Sequence, residues 1–280
     1  RLDLGALTVV VGPNASGKTA LADAVCIDAV GTADRWRGKA ATELVCHRDG
    51  EVLARSENAF SHWGRRQKVV LYPDAIRSAQ TAQEHFALQS DGSNLANLFD
   101  TLSRDDQASF VADFVRLVPV FRDLKARASA GKKRLLFEDR WEPGLWYEPH
   151  QVSDGSMLAA GFVALAYQRD VPDLVVIEDP DRGLHPYLQR QVVELLRALT
   201  RGEIGATPFQ IVCTTHSKAF LDHLEPGEVR FLSRSAETGE TVLRTAPVDN
   251  PRWRELYEQR FDGSLGDLWL TGALGGVPGT

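Results

Sequence analysis

The sequence predicts an α/β fold, a mixed and mostly parallel sheet flanked by helices, and three observations carry that prediction. The β-branched run Leu7-Thr8-Val9-Val10-Val11 leads through a Gly-rich loop into a helix-forming segment, Ala20 to Val30. Leu174 to Ile177 is apolar throughout and Phe209 to Cys213 nearly so, the pattern of strands buried on both faces. Leu188, Val192, Leu195, Leu196 and Leu199 then mark one side of an amphipathic helix with Pro186 near its start.

In chain order, Leu2 and Leu4 alternate with Asp3 ahead of the first run, and the loop after it is Gly12 to Thr19, GPNASGKT. It has the pattern G-x-x-x-x-G-K-S/T. In such a loop successive backbone N–H groups turn inward around phosphate oxygens, Lys18 adds a point charge, and the Thr19 hydroxyl can ligate Mg²⁺. At average composition the pattern arises by chance in a chain this long with probability on the order of 0.01. Short strand-like pieces follow at Glu43 to Val45, Glu51 to Ala54 and Lys68 to Tyr72, which predict a small antiparallel flap beside the main sheet. Asp105 and Asp106 place acids in the first turn of a helix whose stripe Phe110, Val111, Phe114, Val115 and Val118 ends at Pro119. Arg134 to Phe137 and Leu145 to Tyr147 flank the turn Glu142-Pro143-Gly144 and predict a hairpin.

Val152 to Ser156, VSDGS, opens the helical stretch Met157 to Gln168, where free N–H groups and the helix dipole offer a potential second anion site, although any capped helix start has the same look. The strand Leu174 to Ile177 ends in Glu178-Asp179-Pro180, placing two carboxylates at the carboxyl end of a buried strand, where α/β sheets bind ligands. The strand Phe209 to Cys213 runs into Thr214-Thr215-His216-Ser217. Val229 to Leu232 and Thr241 to Arg244 predict a late hairpin, Pro251 to Phe261 a short helix, and Ser264 to Thr280 a Gly-rich close.

Composition is that of an ordinary globular chain: 280 residues, 43% hydrophobic and 25% charged, enough for one large or two small domains. The net charge of −6 excludes a strongly basic chain but leaves local basic faces open. Arg65-Arg66-Gln67-Lys68 and Lys132-Lys133-Arg134 are the basic clusters, and they read as solvated surface. Cys26, Cys46 and Cys213 share no C-x-x-C spacing, lie among apolar neighbours and read as buried thiols of a reducing, cytoplasmic compartment. No apolar run reaches the roughly 18 residues of a membrane span, and no signal peptide is expected, although the chain begins at Arg1 rather than Met.

The order of motifs, phosphate loop, S-D-G-S before a helix, a strand ending in Glu-Asp, then T-T-H after the next strand, resembles the ABC-type ATPase heads of the SMC and RecF kind. It is most similar to compact prokaryotic AAA-family ATPases related to the ATPase half of the overcome-lysogenization-defect nucleases. DGSNLANL from Asp91, GLHP from Gly183 and the closing GSLGDLWLTGALGG fit the same group. The resemblance implies an ABC-type head, 1–280, as one domain, with a helical and signature lobe at about 74–168 between a Walker A lobe (1–73) and a Walker B lobe (169–280).

It also implies ATP and Mg²⁺ as cofactors. Gly12, Pro13, Asn14, Ala15, Ser16, Gly17, Lys18, Thr19 and Ala20 would bind the nucleotide. Thr19 and Glu178 would hold the metal, Glu178 directly or through water. Asp179 would orient or deprotonate the attacking water, His216 would sense the γ-phosphate, and Lys18 would act on the same phosphates. Ser153, Gly155 and Ser156 would close over the nucleotide of a second copy, giving an ATP-dependent homodimer. DNA and a separately encoded nuclease or effector are the further partners it leaves open, in DNA maintenance or anti-phage defence.

Three departures stand out. The usual Asp-Glu pair is inverted to Glu178-Asp179, so the catalytic acid reaches its water with one methylene fewer, which points to slow hydrolysis. His185 stands where such heads often carry Asp. Gln67, Gln80 and Gln83 are equal candidates for the Mg²⁺-sensing glutamine. About 135 residues without sustained heptads separate the first two motifs, which leaves no room for a long coiled-coil arm. A fused metal-dependent nuclease domain is not expected, nor is a zinc site.

Overall fold

A computed structural model of the chain describes residues 3–26, 46–48, 51–54, 65–235 and 237–274. β1 (Leu7–Val11) is buried along its whole length and passes through the Gly-rich loop into α1 (Lys18–Cys26). β2 (Cys46–Arg48) and β3 (Glu51–Ala54) pair antiparallel, and β4 (Arg66–Val69) follows. Then come α2 (Pro73–Arg77), β5 (Gln80–Thr81), α3 (Leu95–Thr101) and α4 (Arg104–Leu117). Ser103 caps α4 by accepting the Asp106 N–H, and Phe110 and Phe114 face inward. β6 (Phe121–Ser129), β7 (Lys132–Asp139) and β8 (Trp146–Tyr147) form a second, antiparallel sheet with β5. The remainder is α5 (Asp154–Ala164), β9 (Leu174–Glu178), α6 (Pro186–Thr200), β10 (Gln210–Thr215), α7 (Lys218–Leu221), β11 (Val229–Arg234), β12 (Thr241–Thr245), α8 (Pro251–Phe261) and α9 (Leu265–Leu270).

The main sheet has the order β12-β11-β1-β10-β9-β4. All its pairings are parallel except that of β12 with β11. Alternate residues of its central strands enter two separate cores, as a sheet covered on both faces requires. Val10, Val176, Val212 and Leu232 meet Ala22 of α1 on one face. Val9, Val11, Val175, Ile177, Ile211 and Cys213 join the larger core with α6 and the other helices on the opposite face. The chain thus has a mixed, mostly parallel sheet with helices on both faces. No helix among the described residues exceeds the 15 residues of α6, so these residues carry no coiled-coil arm, and none of their helices is long and apolar enough to cross a membrane.

Some local expectations differ from the structure. The predicted flap keeps only β2 and β3, Glu43 to Val45 lying outside the described residues. The piece expected at Lys68 to Tyr72 is β4, two residues earlier, and belongs to the main sheet, where it pairs with β9 and buries Val69. β6 is a strand that charged residues hide: Leu124 and Ala126 turn inward between Lys125 and Arg127, a half-buried alternation. The Gly-rich close contains α9, started by the Ser264 cap and fixed by buried Leu265, Leu268 and Trp269. Cys213 is buried as expected, whereas Cys26, at the end of α1, is half-buried.

Candidate nucleotide-phosphate site

Register brings the motif positions together. Val11 of β1 lies opposite Thr215 of β10, and Thr214 lies opposite Glu178 of β9. Gly12, His216 and Asp179 therefore leave three adjacent parallel strands at one edge of the sheet, the carboxyl edge where open α/β sheets take ligands.

The loop at that edge has the left-handed turns a phosphate cradle needs, at Ala15 (φ 64°) and Gly17 (φ 106°). The Ser16 N–H donates to the Pro13 carbonyl at 3.2 Å, and from behind Thr241 of β12 donates its hydroxyl to the Ser16 carbonyl at 3.3 Å. Ser16 Oγ is buried without a partner. At Gly12 a β-carbon would lie 2.3 Å from the Leu232 carbonyl oxygen, so only glycine lets β11 approach here. Lys18 curls back over the loop, its Nζ donating to the carbonyls of Gly12 (2.7 Å) and Pro13 (2.9 Å). Burial lowers its pKa, against the pull of Asp179 and Glu178. Asn14 and Pro13 form the outer turn, and Thr19 and Ala20 lie in the first turn of α1, whose dipole points at the loop.

The two acids behave differently. Glu178 closes β9 and pairs with Lys68 of β4, Nζ to Oε1 at 2.8 Å, and the same ammonium contacts Asp23 of α1. Burial pulls the Lys68 pKa down, but its bonds to Asp23 and Glu178 outweigh this and hold it above the usual range. Asp179 sits in the left-handed region (φ 46°), strained for an aspartate, with its N–H donating to the Thr214 carbonyl at 2.9 Å. Its carboxylate accepts from Arg182 at 2.8 Å and stands 3.6 Å from His216 Nδ1. Asp181 turns inward, is buried, and accepts the Thr215 hydroxyl at 2.7 Å. Arg182 also reaches the Tyr72 hydroxyl at 3.4 Å.

Ser153 caps α5, its Oγ 2.9 Å from that of Ser156. Gly155 lets Leu188 of α6 come close, since a β-carbon there would lie 2.7 Å from its Cδ1. Arg77 of α2 clamps the turn by donating to the carbonyls of Pro149 (3.2 Å) and Val152 (2.8 Å) and to the Asp154 carboxylate. A cavity of about 350 Å³ opens beside Ser153, Gly155 and Ser156. His185 caps α6, its Nδ1 accepting the Tyr187 N–H at 3.3 Å.

The glutamines fare unequally. Gln67 donates to the Leu88 carbonyl and accepts from Gln168, both at 2.8 Å. Gln80 belongs to the small sheet, and Gln83 hydrogen-bonds His85. The residues that reasoning from sequence missed are Asp23, Lys68, Tyr72, Asp181 and Arg182. Lys68 belongs to a basic cluster expected on the solvated surface, but the alignment of β4 with β9 brings it to Glu178. Asp23 carried a usable signal, because it lies one helical turn beyond Thr19.

A loop of this geometry on a mostly parallel sheet, with a carboxylate-ended strand beside it, defines a P-loop ATPase fold of the AAA and ABC type. The family model described as "AAA domain, putative AbiEii toxin, Type IV TA system" matches residues 49–222, and the chain belongs to that family. The match begins beyond the phosphate loop, so the loop rests on its own residues. Among solved structures, the chain is similar to an SMC head crystallised with the C-winged helix domain of ScpA. The TM-score is 0.55 and the identity 11%, over 89% of this chain and 93% of that one. It is also similar to the SMC head domain from Thermotoga maritima, with a TM-score of 0.50 and 14% identity over 87% and 92% of the two chains. At these identities the likeness is one of fold. No curated protein matches the chain.

Proposed function

We propose that the protein binds ATP at Gly12 to Ala20 and hydrolyses it with Mg²⁺, in a head-to-tail dimer of two copies. The observation that carries this reading is the convergence of the loop, Glu178-Asp179 and His216 at one sheet edge, fixed by strand register. The fit to phosphate is local: left-handed turns at Ala15 and Gly17, a buried Ser16 hydroxyl without a partner, and an ammonium on the loop. Thr19 and Glu178 supply the hydroxyl and carboxylate oxygens that a hard cation takes. Bound Mg²⁺ would neutralise charge on the β- and γ-phosphates. Lys18 exchanges the Gly12 and Pro13 carbonyls for phosphate oxygens, Asp179 accepts from the attacking water, and His216 stands beside Asp179 to contact the γ-phosphate. The capped head of α5, with Ser153, Gly155 and Ser156, is offered to the nucleotide of the second copy, as the two-fold arrangement requires.

The test is complementation. Lys18→Ala and Ser153→Arg should each abolish Mg²⁺-dependent phosphate release, while a mixture should recover part of it through one intact composite site. Equal inactivity of the mixture and the single variants, with mixed dimers present, would refute the shared site. A wild type that releases no phosphate would refute hydrolysis.

The pairing of Asp179 with Arg182, together with its shorter reach, favours a second reading: an ATP-gated switch that acts on a separately encoded nuclease or toxin with little turnover. Dimerisation driven equally by ATP and a non-hydrolysable analogue, without turnover, would select it. The family description names a putative toxin of a type IV toxin–antitoxin system. A role at DNA rests on fold alone, and salt-dependent retention of duplex DNA checks it.

A further inference from the structure

Lys68 joins two acids that belong to different elements. Its ammonium contacts Asp23 of α1 and lies 2.8 Å from Glu178 Oε1 at the end of β9, and the three side chains are 27%, 24% and 14% exposed. Asp23 is one turn past Thr19 on the same helix, so both residues project from the same side of α1. Helical spacing thus puts Thr19 on the Asp23 side of α1, and Lys68 stands between the two carboxylates.

Two carboxylates brought this close and shielded from water repel each other, and a divalent cation that takes oxygen ligands relieves the repulsion. Lys68 supplies that relief from within the chain. Each of these acids then has a cation: Asp23 and Glu178 share Lys68, Asp179 takes Arg182, and Lys18 is electrostatically coupled to Asp179 and Glu178. A free divalent cation gains little where the carboxylates already hold a counter-ion, whereas one carried by a triphosphate of about four negative charges gains a great deal.

We propose that Lys68 is a resident counter-ion that prevents Asp23 and Glu178 from collecting a divalent cation before a nucleotide arrives, an inference that rests on the reading of Thr19 and Glu178 as metal ligands. Lys68 is in this sense a positioning residue. It holds the Glu178 carboxylate through Oε1 and makes metal entry depend on the nucleotide.

The experiment measures Mn²⁺ binding to nucleotide-free protein by loss of the free-ion electron paramagnetic resonance signal. Lys68→Met and Lys68→Gln should each bind Mn²⁺ at least tenfold more tightly than the wild type. Lys68→Arg should bind it as the wild type does, and adding Asp23→Asn to either neutral variant should reverse the gain. Lys68→Gln keeps a donor between the carboxylates, so it tests the charge even if Lys68→Met unfolds; melting curves identify which variants are folded. Folded neutral variants with wild-type Mn²⁺ affinity would overturn the proposal. If the wild type still binds ATP with Mg²⁺ in that case, the nucleotide site stands and only the role of Lys68 falls. A wild type that binds no ATP would instead refute the site itself.

Discussion

Gly12→Ala separates the structural demand on the loop from its chemistry. The new β-carbon would lie 2.3 Å from the Leu232 carbonyl oxygen, 2.7 Å from Ser16 Oγ and 3.2 Å from the Leu232 carbonyl carbon. Comfortable contact needs about 3.5 Å. Ser16 can turn its hydroxyl aside, but Leu232 is a backbone neighbour inside β11, held between β1 and β12. Since Val11 pairs with Phe231, Gly12 and Leu232 follow that pair at the very edge where the site opens. The two strands must part by about 1 Å there, an overpacking cost on the order of 1–3 kcal/mol. At roughly 2–4 °C per kcal/mol for a chain of this size, the melting temperature should fall by several degrees. Thermal unfolding followed by circular dichroism measures this. Gly227→Ala is the control, because a β-carbon there meets nothing within 4 Å and its φ is ordinary. A Gly12→Ala protein that melts together with the wild type would refute the argument that β11, and not only phosphate, requires this glycine.

Two further perturbations test charges around the site. Asp181 is buried, and burial raises its pKa above that of a free carboxyl despite the Thr215 hydroxyl. The folded chain therefore favours the protonated form, and this contribution is full below the unfolded pKa and is lost as pH rises through the folded one. Asp181→Asn should stabilise the protein more at neutral pH than at about pH 4, and melts that show no pH dependence of this difference would refute it. Arg197 of α6 holds Glu228 through two bonds, at 3.0 and 2.7 Å, and also donates to the His223 carbonyl at 3.1 Å. Arg197→Met should destabilise by roughly 1–3 kcal/mol in urea unfolding, and adding Glu228→Leu should recover part of the loss, because the stranded carboxylate is then gone.

Elements whose signal is local were legible in the sequence. The strand before the loop, the capped helix α4, the buried strands β9 and β10, and the Pro-started helices α6 and α8 all carry their reasons within a few residues of themselves. β4 was misplaced because its partner β9 lies more than a hundred residues away, and pairing, not periodicity, decides which sheet takes it. β6 was missed because its inward positions are small or few, Leu124 and Ala126, between outward charges. In the candidate site the same division holds. Gly12 to Thr19, Glu178-Asp179 and His216 announce themselves by spacing, whereas Lys68 and Arg182 are anonymous basic residues until register and a tight turn bring them to the acids.

Those basic residues change what binding means energetically. Lys18 is bonded to loop carbonyls, Glu178 to Lys68, and Asp179 to Arg182. Each principal charged group of the site therefore already has a partner in the chain. A triphosphate must break these contacts to form its own, so its affinity is a difference between two sets of interactions and not the sum of the new ones. The Lys18 contacts cost little to exchange, since carbonyl oxygens are neutral and phosphate oxygens are not. The Arg182 contact is different: releasing Asp179 leaves a strained aspartate without its cation, unless His216 or a second copy supplies one. Under the proposed function, nucleotide binding and the release of Asp179 are then separate steps. The second step is where the proposed dimer would control turnover, because Arg182 holds Asp179 from within the same chain.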